Sequence, residues 1–218
     1  NELPASNSVF LVDVSGSMSS KDKLELLKSS LVTLLDYLQP EDRISIVTYQ
    51  GDFNYSAVND LGASYASGEY ILLLNNDTEV ITANWMEEML MYAQREDVGA
   101  VGAKLYYADK TIQHAGVVIG LGAHRTAGHT HYRIPVQNLG YMGRLCYTQN
   151  VTAVTGACLL VKKSLYEQVG GLDESFVISL NDVDFCLKLR KLGLLNVWTP
   201  FAELYHYESI SRGLNDQG

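Results

Sequence analysis

The chain has 218 residues, with 16 basic against 25 acidic side chains for a net charge of −9, and 47% of its residues are hydrophobic. That length and apolar content suit one large domain or two small ones around a packed core. The acidic balance argues against a broad nucleic-acid surface while leaving room for a local basic pocket, and no run of about 18 apolar residues is present to cross a membrane.

In chain order, the opening "NELPASNSVF" has no basic stretch followed by an apolar one, so no signal peptide is expected; without an initiating Met, a fragment of a longer chain is expected. Residues 9–14, an apolar run closed by polar and Gly-containing punctuation, read as a buried strand. Residues 23–38 repeat Leu24, Leu27, Leu31, Leu34, Leu35 and Leu38 at helical spacing, and Pro40 falls just past their end as a stop. "RISIVTY", residues 43–49, is rich in β-branched residues and reads as a second strand. Strand, helix and strand make a β-α-β unit, whose right-handed crossover sets the two strands parallel.

Gly51 and Asp52 mark a turn. "NYSAVNDLGASYAS" reads as a helix ending at Gly68, and "EYILLLNN" as the next buried strand. Residues 84–94 read as a helix capped by Thr82 or Asn84, and "VGAVGAKLYY" as another strand. Residues 109–150, rich in Gly, His and Tyr, have weak periodicity and read as strand and loop. "VTAVTGACLLVKKSLYEQVGG" reads as strand, turn and short helix, "NDVDFCLKLRKLG" as an amphipathic helix opened by acids, and "LLNVWTP" as a final strand. Strands alternating with helices predict an α/β fold, a single open, mostly parallel Rossmann-like sheet flanked by helices. Cys146, Cys158 and Cys186 are odd in number and match no metal spacing, so free thiols in a reducing, cytoplasmic setting are expected.

Two strand ends carry candidate chemistry. "VFLVDVSGSM" and "ILLLNNDTEV" are both apolar runs that end in acids and small polar residues, the place where open α/β sheets bind ligands. Residues 1–51 resemble a von Willebrand factor A domain, through "DVSGSM" and the following "DKLELLKSSLVTLLDYLQPEDRISIVTYQG". The resemblance implies that Asp13, Ser15 and Ser17 form part of a metal-ion-dependent adhesion site for Mg²⁺, an ion that prefers hard oxygen ligands and keeps several waters. The Thr and Asp that the family adds from two further loops have no counterpart here, so binding of Mg²⁺ at this site is expected to be weak.

Residues 53–213 resemble a family-2 glycosyltransferase of GT-A fold, in its rhamnosyl- and galactosyl-type branch. The segments that carry this are "FNYSAVNDLGASYASGEYILLLNNDTEV", "QHAGVVIG", "VTAVTGACLLVKKSLYEQVGGLDESF", "NDVDFCLKLR" and "YHYESISRG", in that order. "NNDT" stands where the family has Asp-x-Asp. The resemblance implies that Asp77 binds a divalent ion, Mg²⁺ or Mn²⁺, that bridges the donor's diphosphate and neutralises the leaving group. It implies that His206 helps to hold that metal or the pyrophosphate and that Asp182 is the catalytic base. Asn75, Asn76, Gly156, Ala157 and Asp184 would contact substrate. The partners implied are a nucleotide-sugar donor and a glycan acceptor, with no nucleic acid and no membrane span; the oligomeric state is not legible.

Each residue also has a plainer role. An Asp at a strand end is a common turn former, Asp182 and Asp184 open a helix where acids favour the dipole, and His206 among tyrosines reads as a structural histidine. His114, His124, His129 and His131 match no zinc spacing and read as loop residues of the acceptor region. The order of the segments is what lifts Asp77 and Asp182 above these readings.

A family-2 glycosyltransferase opens with its own β-α-β unit, whose two loops hold the nucleotide. Here "VDVSGSM" and "VTYQGD" occupy those places. The expectation is therefore a chimera in which an adhesion-type segment, residues 1–51, and a GT-A-like segment, residues 52–218, pack as one domain with a hybrid N-terminal β-α-β. In the hybrid sheet the residue-9 strand should lie near the residue-71 strand, with Asp13 and Asp77 on one rim, and a composite metal pocket is conceivable there. Three functional readings follow: an inverting sugar transferase impaired at its donor site, an engineered or recombined scaffold without turnover, and a Mg²⁺-dependent adhesion-type binding module.

Overall fold

The computed structural model describes residues 7–13, 43–49, 54–75, 77–121, 126–177 and 179–207. In chain order its elements are β1 (Asn7–Asp13), β2 (Arg43–Tyr49), α1 (Tyr55–Tyr65), β3 (Tyr70–Leu74), β4 (Thr78–Val80), α2 (Trp85–Ala93), β5 (Val98–Tyr106) and β6 (Ile112–His114). There follow β7 (Val117–Ile119), β8 (Ala127–His129), β9 (Gln149–Val151), β10 (Cys158–Lys162), α3 (Lys163–Gln168), α4 (Asn181–Lys191) and β11 (Leu195–His206). The helix expected over residues 23–38 and the turn at Gly51 and Asp52 lie outside the described residues. Among the described residues no helix is long and apolar enough to cross a membrane.

β1 and β2 pair in parallel, Asn7 opposite Arg43 through Asp13 opposite Tyr49, as the β-α-β reading requires. Asn54 caps α1 by accepting the N–H of Ala57 at 3.1 Å, and the helix ends before Gly68, at Ala66. The helix lies against both β1 and β2. Among the described residues no ladder joins those strands to β3. Among the described residues the residue-9 strand and the residue-71 strand therefore stand in separate ladders where one continuous sheet is expected.

The central sheet has the order β3-β10-β5-β11-β4, with β6 on β5 and β9 on β11. β3, β5 and β11 run the same way, and β10 lies antiparallel between β3 and β5. The sheet is thus mixed where a mostly parallel one is expected. β10 follows the excursion over residues 109–150 without a crossover helix, and antiparallel neighbours need none.

Alternation along the strands sets the layers. Ile71 and Leu73 of β3 join Leu159 and Val161 of β10 in one apolar cluster with Tyr166 of α3 and Phe185 and Leu189 of α4. Tyr70 and Leu72 point the other way, into a cluster with Leu160, Met89 and Ala93. Helices therefore flank the open sheet on both faces: α2 on one, α3 and α4 on the other.

β11 runs beyond Pro200, where the final strand was expected to end. Its register with β5 shifts between Trp198 and Glu203, the kind of irregularity at which a sheet tolerates proline. Past the shift it pairs with β4, Leu204 opposite Val80 and His206 opposite Thr78. That ladder brings the "NNDT" tip to the far end of β11.

Candidate functional site

The β4–β11 ladder is continued by a bond from the N–H of Tyr207 to the carbonyl of Asp77 at 2.8 Å. It sets Nε2 of His206 at 3.1 Å from Oδ1 of Asp77 and at 3.1 Å from Nδ2 of Asn75. His206 is buried, while the Asp77 side chain keeps about a third of its surface exposed. Asn75 is held on both sides, its N–H on the carbonyl of Ala157 at 3.0 Å and its carbonyl accepting the Thr78 hydroxyl at 2.8 Å. Behind His206, Nδ1 meets Oε1 of buried Gln113 at 2.7 Å.

Asp182 sits in the first turn of α4, just after Leu180, whose φ of 67° turns the chain into the helix. Its Oδ1 accepts the N–H of Val183 at 2.8 Å and its Oδ2 the N–H of Gly156 at 2.9 Å. Gly156 in turn offers its carbonyl to the Tyr55 hydroxyl at 2.9 Å. Burial, reinforced by the Asp182 charge, pushes the Tyr55 phenol far above its usual range, so it remains a donor. Asp184 points along the helix to Lys188 at 3.0 Å, an i,i+4 pair. Gly156 and Ala157 are both buried. One short turn thus links the two regions: Gly156 holds Asp182, and Ala157 holds Asn75, two residues before Asp77.

The histidines expected in loops are partly strand residues. His114 is fully buried in β6, with Nδ1 at 2.8 Å from Nδ1 of His129 in β8, and its Nε2 accepts a long bond from the N–H of Thr155 at 3.4 Å. Burial first, then the neighbouring His129 and His206, drives His114 well below the usual histidine value. His131 lies in a turn at φ 57°, and His124 lies outside the described residues.

Asp77, Asn75 and His206 come together, and Asp182 meets Gly156. Ser15, Ser17 and Asn76 lie outside the described residues, and Asp13 is described as backbone only. Gln113 and Tyr55 were not singled out from sequence, and His114 was read there only as a loop residue. The polar pair Gln113–His114 inside an otherwise apolar segment was the available signal for the first.

Among the described residues no group of three or more His, Cys, Asp or Glu side chains converges as a metal cage. The pair at Asp77 and His206 stands at ion-pair distance, a spacing compatible with neighbouring ligands of a divalent ion as well. Neighbouring ligands of an octahedral ion at about 2.0–2.1 Å stand about 3 Å apart, and these two atoms are 3.1 Å apart. Sites with one or two carboxylates, waters and substrate phosphates filling the rest, are the usual arrangement for Mg²⁺, and Asp77 is the one carboxylate of this pair.

Residues 8–68 match the von Willebrand factor type A domain family. The chain is 51% identical over 175 residues to the uncharacterized protein y4gI of Sinorhizobium fredii, covering 80% of this chain and 19% of that protein. It is 41% identical over 173 residues to the O-antigen biosynthesis protein RfbC of Myxococcus xanthus, covering 79% of this chain and 13% of that one. The chain therefore spans less than a fifth of the length of either relative. Among solved structures it is similar to GalNAc-T7 with UDP, GalNAc and Mn²⁺, with a TM-score of 0.64 at 12% identity, over 93% of this chain and 44% of that one. It is also similar to the mannosyltransferase PcManGT from Pyrobaculum calidifontis in complex with GDP-Man and Mn²⁺, with a TM-score of 0.61 at 12% identity, over 97% and 59%. The chain carries a von Willebrand A-like stretch at its start and has the GT-A-like fold of glycosyltransferases, an open mixed α/β sheet flanked by helices.

Proposed function

We propose that the chain derives from an inverting sugar transferase, one that moves a glycosyl group from a nucleoside-diphosphate sugar to a hydroxyl of a glycan acceptor, and that its donor site is impaired. The observation that carries this reading is the meeting of Asp77 and His206 at 3.1 Å beside the turn that also holds Asp182. Similarity to an O-antigen biosynthesis protein and to structures that hold UDP or GDP-Man with Mn²⁺ supports it.

Asp77 and His206 would hold Mg²⁺ or Mn²⁺, which when bound supplies positive charge to the leaving diphosphate. Asp182 takes the proton of the acceptor hydroxyl as its oxygen bonds to the anomeric carbon, and the electrons of the breaking C–O bond leave with the diphosphate. The N–H groups of Gly156 and Val183 fix the carboxylate for that task. Asn75, Asn76, Gly156, Ala157 and Asp184 belong to the substrate cleft on this reading. Residues 1–51 and 52–218 pack as one chimeric domain, since about fifty residues cannot bury the faces of an adhesion-type β-α-β unit alone.

Impairment follows from what precedes α1. The von Willebrand A match over residues 8–68 falls where a transferase of this type carries its nucleotide loops. A catalyst that cannot hold its donor in attack geometry forfeits most of its rate. The same observation favours a second reading, a folded scaffold that does not turn over. Calorimetric titration with UDP and dTDP, with and without Mn²⁺, separates the two. Metal-dependent binding lost in Asp77→Ala supports a surviving donor site. No binding by a protein that melts cooperatively leaves the scaffold alone.

A further inference from the structure

We propose that the turn over residues 139–144 docks on the surface of an anionic lipid bilayer, with Leu139, Tyr141 and Met142 entering the headgroup region and Arg144 and Arg133 meeting lipid phosphates. This element uses none of the residues around Asp77, and its role does not depend on the transferase reading.

The pattern begins in the sequence. Of the chain's 25 acidic residues none falls from Lys110 to Tyr166, whereas Lys110, Arg125, Arg133, Arg144, Lys162 and Lys163 all do. Ordinary protein surfaces intersperse both signs. A chain of net charge −9 thus contains a long stretch without a negative side chain, and such a stretch is drawn to an anionic surface.

The same stretch holds the most exposed large apolar side chains among the described residues: Met142 at 80%, Tyr141 at 77% and Leu139 at 63%. Their backbone is fixed. The N–H of Gly140 reaches Oδ1 of Asn138 at 2.8 Å, that of Leu145 the carbonyl of Leu139 at 3.0 Å, and that of Cys146 the carbonyl of Gly143 at 2.9 Å. Leu145 is buried at the foot of the turn, and a Cβ added at Gly140 would stand 3.0 Å from its Cγ. Met142 has φ 53°, a left-handed conformation uncommon outside glycine and asparagine. A turn with no other task takes Gly or Asn there; Met accepts backbone strain and presents an apolar side chain to water.

The basic residues lie beside this tip. Arg144 is exposed and meets the neutral Gln149 through Nε at 2.9 Å. The 131–133 segment abuts the turn, since Nε2 of His131 would stand 3.1 Å from a Cβ at Gly140. Arg133 lies over Tyr107 and Tyr132, 4.8 and 5.6 Å from the ring centroids, and its pair with Asp109 is long, at 3.8 Å, and exposed.

Chemistry selects the occupant. A protein partner of standard size takes about 800 Å² per side, from about 20–30 residues, more than one convex turn offers. A sugar packs its C–H face on an aromatic ring, which Leu139 and Met142 lack. A bilayer surface suits every member of the turn. Aliphatic and thioether groups enter the acyl boundary, the tyrosine ring lies at headgroup level, and guanidinium groups meet phosphates.

The test is flotation of the full chain with vesicles of pure phosphatidylcholine and of an equal mixture of phosphatidylcholine and phosphatidylglycerol. The protein is expected to float with the anionic vesicles, less with the neutral ones, and less at high salt. Tyr141→Ser combined with Met142→Ser should lower partition by about tenfold or more, since burying one such side chain is worth about tenfold to a hundredfold. Arg144→Gln should lower it by about fivefold on anionic vesicles alone. In Leu139→Trp the added indole emission should move to the blue when anionic vesicles are added. Cooperative melting establishes that each variant is folded; if the double variant is not, Leu139→Trp and Arg144→Gln still decide.

A folded wild-type protein that does not float overturns the proposal. So does flotation that the double variant leaves unchanged, or that does not distinguish anionic from neutral vesicles. Two other occupants would overturn it as well. A dimer in sedimentation equilibrium that the double variant makes monomeric, without flotation, would put a second copy on the turn. Retention on an immobilised glycan that Tyr141→Ser alone abolishes, again without flotation, would put a sugar there. No readout involves a metal or a nucleotide, so failure of the transferase reading would leave the result standing.

Discussion

The hydroxyl of Tyr55 lies 2.9 Å from the carbonyl oxygen of Gly156, and a Cβ built at position 156 would stand 2.8 Å from that hydroxyl. The glycine is therefore set by close approach, and the same peptide unit presents the N–H that holds Asp182. Gly156→Ala must push the phenol or the turn aside. The expected cost is about 1–3 kcal/mol of stability, from overpacking and a lost buried hydrogen bond, measured by denaturant unfolding. Adding Tyr55→Phe removes the clashing oxygen, so the double variant should lose less than the two single losses summed. Additive losses would show that the two residues do not share this contact.

Metal binding tests the other side of the turn. Asp77→Ala and His206→Ala each remove a proposed ligand, so each should weaken Mn²⁺ binding by more than the about 10–100-fold expected for a residue behind a ligand. Asp13→Ala asks a separate question. A composite pocket with Asp13 and Asp77 on one rim requires a drop there as well. Unchanged affinity in Asp13→Ala removes Asp13 from the site.

The two acidic positions were legible in sequence through the order of the transferase-like segments, while composition marks only a strand end and a helix start. The apolar run before Asn75 and the acids opening α4 mark where those two carboxylates lie, not what they do. The meeting of Asp77 with His206 was implied only by the resemblance, because in the chain it depends on β11 passing through Pro200 and shifting register before it reaches β4. A proline reads as a strand end unless a bulge is foreseen. The direction of β10 was equally hidden: an apolar run of five residues says that a strand is buried but not which way it runs. Gln113 was hidden for a different reason. A single buried amide becomes meaningful only when its partner, 93 positions away in the chain, is known.

Asp182→Asn separates base chemistry from scaffold. The amide is the same size and keeps an oxygen for the Gly156 or Val183 N–H, so folding and donor binding should survive. Any turnover the wild-type protein shows should fall by about 10²–10⁴-fold, the range for loss of a general base, with the effect in kcat rather than KM. Equal turnover in the variant would reassign Asp182 to capping the first turn of α4.

Acid should act through His114. In the unfolded chain this histidine titrates near 6.5, while in the folded protein burial and the neighbouring His129 and His206 hold it well below that value. Between the two values the unfolded chain binds a proton that the native protein refuses. The associated stability is thus complete above pH 6.5 and declines as pH falls toward the folded value, by up to about 1.4 kcal/mol per pH unit. His131 is shifted in the same direction, mainly by partial burial, and adds to the slope of the whole protein. Comparison with His114→Gln isolates one proton, since glutamine retains a polar group toward Thr155 and His129 but does not titrate. Denaturant unfolding at intervals between about pH 7 and pH 5 should show a shallower fall for the variant than for wild type. Identical slopes would mean that the native protein admits a proton at His114, through water or through opening of the β6–β8 region, despite its burial.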